Sequence, residues 1–152
     1  EYLETSWLFF VVNIYDFSVK RQQIAPKKIY SIDTGLAKSV GFSFSENKGK
    51  LLENLVFLAL RQKEKEIYYY KTKKGFEIDF YLPRKKMFIQ TSADIFQKET
   101  RKREIWALEE GMKEIKGVRA LILIEDTEEK IKVDKKWIQV EPIYKWLFQP
   151  SF

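Results

Sequence analysis

The sequence predicts an α/β fold: a sheet with helices on its faces, preceded by a hairpin-like pair of strands. Three observations lead there. Residues 75–82, GFEIDFYL, alternate with a period of two, the signature of a half-buried strand. Residues 50–63 instead carry a wide apolar stripe, Leu51, Leu52, Leu55, Val56, Leu58 and Ala59, at helical spacing. Residues 118–124, VRALILI, are almost wholly apolar, as a strand buried on both faces must be. With 152 residues, 45% of them apolar and 16% aromatic, the chain can build one ordinary core.

Taken in order, residues 1–5 read as a helix tail and residues 7–14, WLFFVVNI, as an apolar strand. Residues 16–26 are a polar, basic connection. Residues 28–32 form a second strand ending in Asp33-Thr34-Gly35, where Asp33 or Thr34 can cap a short helix over 35–40. Residues 42–49 are loop, and the helix of residues 50–63 follows. Residues 67–72, IYYYKT, are a strand that turns through Lys73-Lys74-Gly75 into 75–82. On that strand Phe76, Ile78, Phe80 and Leu82 share one face, and Glu77, Asp79 and Tyr81 the other. Residues 83–86 break it, and a second hairpin strand over 87–92 places Phe88, Gln90 and Ser92 on one face. Residues 98–116 form a helix with Ile105, Leu108, Met112 and Ile115 on one side, stopped by Gly117. After the apolar strand, residues 125–129 are an acidic turn and 137–140 a last short strand. Pro142 opens a final helix, PIYKWLF, at its first position. The chain divides into an N-terminal extension, 1–41, and a main domain, 42–152.

Charge and composition narrow the function classes. The net charge is +6, but residues 1–104 hold 20 Lys/Arg against 13 Asp/Glu and residues 105–152 hold 8 against 9. A basic half suggests a polyanion partner such as DNA; the competing reading is a lysine-rich solvated surface. No Cys and no His occur. That excludes disulfides, Cys/His zinc sites, cysteine nucleophiles and histidine triads, and it fits a reducing, cytoplasmic compartment. No apolar run approaches the roughly 18 residues of a membrane-spanning helix, and no signal peptide is visible. Gly49-Lys50 has neither the upstream glycine nor the following Ser/Thr of a P-loop, so this stretch is no ATPase site. A chain beginning at Glu1 without Met reads as a piece of something longer.

From residue 50 the expected order is helix, three strands, helix, strand. That is the core order of the restriction-endonuclease-like, or PD-(D/E)xK, three-layer fold (αβββαβ). The segments KKIYSIDTGL, NKGKLLENLVFLAL, IYYYKTKKGFEIDF, FIQTSADI and ETRKREIWAL also resemble the C-terminal region, DUF4143, of a family of prokaryotic AAA-type ATPases. The resemblance runs from about Trp7 to Leu147. It implies a nuclease-like domain behind an ATPase domain of the same longer chain and a winged helix. The strands 7–14 and 28–32 would then be a wing-like link.

What the resemblance implies for chemistry is a damaged site. Such a site holds Mg²⁺ between carboxylates and uses a lysine to orient water and stabilise the phosphorane. Glu53 stands where the helix acid lies and Asp79 where the metal aspartate lies. Gln90 stands in the place of the second acid and Ser92 in the place of the lysine. A glutamine offers a carbonyl oxygen without charge, and a serine offers no cation. Glu77 could supply a further ligand, and Lys71 or Lys98 could bring an amine from elsewhere. The expectation is a degenerate nuclease acting as a DNA-binding or regulatory module, with weak or no Mg²⁺ binding at Glu53 and Asp79. Two alternatives stand beside it: an active Mg²⁺-dependent DNA nuclease, and a protein-interaction platform. DNA contact is expected from Lys71, Lys73, Lys74, Arg84, Lys85, Lys86 and Arg101, in clusters (the last with Lys102 and Arg103) bordering the hairpin on one side. Tyr68, Tyr69 and Tyr70 could stack bases, but their alternation favours sheet packing for most of them.

Overall fold

The computed structural model describes residues 8–35, 48–93 and 97–149. Two short strands, β1 (Phe9–Val12) and β2 (Lys28–Ser31), pair antiparallel and are joined through helix α1 (Val19–Ile24). Helix α2 (Lys48–Lys63) leads into β3 (Tyr68–Lys71), β4 (Glu77–Leu82) and β5 (Met87–Thr91). Helix α3 (Lys98–Glu114) precedes β6 (Arg119–Ile124), β7 (Glu129–Val133), β8 (Lys136–Pro142) and helix α4 (Ile143–Leu147). The main sheet has the order β3-β4-β5-β6-β8-β7. The first three strands form an antiparallel meander, β6 joins β5 in parallel, and β8 joins β6 in parallel. This is a mixed α/β architecture in which the expected element order holds and the apolar strand β6 is interior.

The sheet divides the core in two. On one face Phe80, Leu82, Ile89, Leu121 and Leu123 pack with Val56, Phe57 and Leu60 of α2 and with Ile143 and Trp146 of α4. Val12, Ile14 and Tyr30 belong to that same cluster, so the N-terminal extension shares its core with the main domain. On the other face Ile78, Tyr81, Phe88, Ile122 and Val140 pack with Ala107, Leu108 and Met112 of α3. Gly111 lets α3 lie close to the sheet: a Cβ there would sit 2.6 Å from Ile78 Cδ1 and 2.9 Å from Phe88 Cε2.

Several elements differ from the sequence reading, each for a local reason. Residues 19–24 were expected to be connection, yet they form α1. That helix buries no residue, so no apolar stripe announces it; Ser18 caps it by accepting the Arg21 N–H. Lys48 and Gly49 belong to the first turn of α2 and not to a loop. The supposed acidic turn runs on into β7, EKIKV, an edge strand whose lysines mask its alternation. Its hairpin partner β8 is longer than expected, and Asp134 makes the turn between them with φ 50°. Pro142 is the last residue of β8 and the N-cap of α4, one place earlier than its expected position. The expected helix tail at 1–5 and, beyond Gly35, the expected short helix lie outside the described residues.

Candidate functional site: an acidic centre filled by a lysine

A bulge in β4 sets up the site. Against β3, Tyr68 faces Tyr81 but Tyr70 faces Ile78, so β4 carries one residue more than its partner across this interval. Phe76 and Ile78 therefore face α3, while Phe80 and Leu82 face α2. The expected single apolar face of β4 is thus split. Asp79, at the bulge, turns to the α2 side together with Glu77, as the period-two reading of those two acids requires. Past Phe80↔Ile89 the β4–β5 ladder gives way to side chains. The Thr91 N–H and hydroxyl both donate to Asp79 Oδ2 at 2.9 Å. The Asp79 N–H donates to Gln90 Oε1 at 3.1 Å.

The other carboxylate oxygen of Asp79 meets an amine from the N-terminal hairpin. Lys28 Nζ lies 2.9 Å from Asp79 Oδ1, 2.9 Å from Glu53 Oε1 and 2.9 Å from Glu77 Oε1. Tyr30, two residues further along β2, donates its hydroxyl to Glu53 Oε1 at 2.7 Å. Buried Asn54 clamps this strand to α2: its Oδ1 accepts the Ser31 N–H at 2.8 Å and its Nδ2 donates to Ser31 O at 3.1 Å. The clamp holds Lys28 and Tyr30 over Glu53, the neighbour of Asn54. An ammonium has three donors, and three carboxylates surround this one. The centre also opens on two concavities, both reaching Glu77. One, of about 330 Å³, lies between β2 and α2 and includes Lys50. The other, of about 350 Å³, lies toward α3 and includes Gln90, Arg103 and Glu104.

The electrostatics follow from burial and proximity. Burial alone would lower the Lys28 pKa, but Asp79, Glu53 and Glu77 outweigh it and hold the ammonium well above its ordinary value. Burial, and then the charges of Glu53 and Asp79, push Tyr30 well up. Burial and Asp79 also raise Glu53, against the pull of Lys28 and the Tyr30 hydroxyl. Neither the amine nor the phenol can therefore act as a base near neutral pH.

The two substituted positions are integrated differently. Gln90 faces α3, where its amide also hydrogen-bonds the buried carboxylate of Glu104. Burial raises the Glu104 pKa, while the pairing with Arg103 and the Gln90 amide lower it. A carboxylate at position 90 could not donate to Glu104 and would repel it, so glutamine suits this place. Ser92 is buried, its N–H donating to Leu123 O at 3.0 Å. A Mg²⁺ ion would need oxygens at roughly 2.0–2.1 Å. The oxygens here are spaced around an ammonium that stands in that place, and among the described residues no cluster of three or more acids is disposed to hold a metal. The arrangement does not fit the ion.

The family described as Domain of unknown function (DUF4143) matches residues 48–146, from α2 to α4. The chain belongs to the DUF4143 family. An uncharacterized protein of Methanocaldococcus jannaschii is 38% identical over 156 residues, covering 96% of this chain and 34% of that protein. The chain thus spans about a third of its relative's length. No solved structure matches. Lys28 and Tyr30 precede the segment that carries the DUF4143 match, so the match includes the acids but not the amine.

The basic residues expected to meet DNA are dispersed on this DUF4143 domain. Lys71, Lys73 and Lys74 lie at the Glu77 end of β4, and Arg84, Lys85 and Lys86 at the other, roughly 20 Å away for a strand of this length. They do not line one side of the hairpin. Most are also engaged: Lys74 with Glu110 at 2.8 Å, Arg84 with Glu66 at 2.9 Å, and Lys85 with Glu64 at 3.0 Å. Arg101 grips Glu129 with both ends of its guanidinium. Among the described residues Lys71, Lys73 and Lys86 show no side-chain ion pair. Tyr69 and Tyr70 are buried in the sheet, as expected of most of this run. The sequence reading missed Lys28, Tyr30, Asn54, Thr91 and Glu104. For Lys28 and Tyr30 a signal existed, their i, i+2 spacing on one strand within the KKIYSIDTGL segment. No helix of the described residues is long and apolar enough to cross a membrane.

Proposed function

We propose that this domain is a restriction-endonuclease-like module that does not cleave, because Lys28 permanently fills its acidic centre. It serves instead as a nucleic-acid-binding or regulatory module of a longer chain carrying an AAA-type ATPase. One observation carries this reading: the Lys28 ammonium donates to Glu53 and Asp79 and is ion-paired at 2.9 Å with Glu77 as well. An ammonium whose charge is balanced by three carboxylates is held away from the role of orienting water or stabilising a phosphorane. The element order and the wiring of Gln90 into Glu104 support the same view.

A second reading has its own observation. Glu77 and Lys28 supply the carboxylate and the amine that Gln90 and Ser92 lack, so the cluster has the composition of an active centre with a relocated lysine. Incubation with supercoiled and branched DNA in Mg²⁺ or Mn²⁺ separates the two. The proposal expects intact DNA with the wild type and with Lys28→Met. Cleavage by the wild type that is lost in both Asp79→Asn and Lys28→Met would establish the nuclease. Absence of DNA binding at low salt would remove nucleic acid and leave a protein-interaction platform.

A further inference from the structure

We infer that the concavity at the outer edge of β3 is a binding site for single-stranded nucleic acid, taking one base on Phe17, which Tyr15 braces, and a phosphate on Lys71 and Lys73. The inference rests on the nucleic-acid reading above and assigns it a place. After β1 the chain runs along β3: the Tyr15 N–H donates to Tyr69 O at 2.8 Å and the Tyr69 N–H to Asn13 O at 3.1 Å. This carries Tyr15 and Phe17 to the end of the strand, where with Arg21, Tyr70, Lys71 and Lys73 they line a space of about 260 Å³.

Four features select the ligand. Phe17 is 87% exposed, yet its ring is held edge-on by Tyr15 with centroids 5.6 Å apart. It is an aromatic face presented to solvent and already positioned. Three cations, Arg21, Lys71 and Lys73, line the same concavity with two acids, Asp16 and Glu114, whose carboxylates are both hydrogen-bonded within the chain. Asp16 pairs with Arg21 at 3.2 Å and accepts the Ser18 N–H, while Glu114 accepts from the Tyr70 hydroxyl and the Lys73 N–H. The ammonium groups of Lys71 and Lys73 have no ion pair among the described residues, in contrast to Lys74, Arg84, Lys85 and Arg101. The volume is below the roughly 300–1,000 Å³ of typical small-molecule sites, which suits a single base better than a bulky cofactor. An aromatic face beside two cations is the arrangement that binds single strands without base readout, and a paired duplex offers no free base face to it.

Fluorescence anisotropy with a labelled oligothymidine of about 12 nucleotides, and with a duplex of equal length, tests this. The single strand is expected to bind more tightly than the duplex. Phe17→Ala should weaken it roughly tenfold while leaving the thermal melt unchanged, since the side chain is exposed. Lys71→Ser with Lys73→Ser should reduce the slope of log K against log salt by about 1.4. Lys135→Ser, at the β7–β8 turn, should change neither. Single-strand binding unaffected by the Phe17 and lysine variants would overturn this site while leaving the module reading intact. Equal binding of duplex and single strand would also overturn it. No binding of either would remove both the site and the nucleic-acid role. Cleavage of the oligonucleotide would instead overturn the silent-centre reading alone.

Discussion

Replacing Lys28 by Met keeps much of the side chain's length and removes only its charge. The Glu53 and Asp79 oxygens, each 2.9 Å from Nζ, are at most about 5.8 Å apart once the ammonium is gone. Their side chains are 19% and 11% exposed. Two unit charges at that separation repel by roughly 3 kcal/mol at an effective dielectric constant of about 20. Glu77, half exposed, is screened and adds little. Breaking a buried pair by removing one partner typically costs about 3–5 kcal/mol. Protonation of Glu53 limits the penalty, so about 3–4 kcal/mol is expected near pH 7.5. The sign follows from linkage. Without Lys28 the folded state binds a proton at Glu53 more readily than the unfolded chain does, so the variant loses stability as pH rises. The deficit should shrink to about 1–2 kcal/mol at pH 5. Urea denaturation of wild type and variant at both pH values measures this. Mn²⁺ should stabilise the variant, by about 2.7 kcal/mol at a hundredfold excess over Kd, and leave the wild type unchanged. A cost under about 1 kcal/mol at pH 7.5, or one equal at pH 5, would refute the claim that Lys28 neutralises buried charge.

Three further outcomes are expected. Asn54→Ala should cost about 2–4 kcal/mol in urea denaturation, because the N–H and C=O of buried Ser31 both lose their partner. Gly111→Ala should lower stability by about 1–2 kcal/mol despite better helix propensity, since the new Cβ meets Ile78 and Phe88; a neutral or stabilising result would show that those side chains give way. On the alkaline side, Lys28 and Tyr30 keep in the folded state the protons that the unfolded chain releases near their ordinary values of about 10.4 and 10. Their contribution is present below about pH 10 and is lost as pH rises further, so urea midpoints should fall there, and less steeply in Lys28→Met.

The elements with a strong period were legible in the sequence. The stripe of α2, the unbroken apolar run of β6 and the hairpin of β4 and β5 fix the main sheet and the helices on its two faces. The acids Glu53, Glu77 and Asp79 were legible for the same reason, since each sits on such an element at a known phase. Weakly patterned elements were not: α1 buries nothing and β7 is an edge strand rich in lysine, so neither leaves an apolar trace. The amine was decided only by tertiary structure. On β2 the strand turns Tyr30 inward and leaves Ile29 62% exposed, the reverse of what hydropathy implies. That inversion is set by the Asn54 clamp and by three carboxylates gathered from α2 and β4, 25 to 51 residues away in the chain. A local pattern records which way a side chain points on its own element. It carries no record of the charges that another element brings to meet it, and here those charges decide where Lys28 goes.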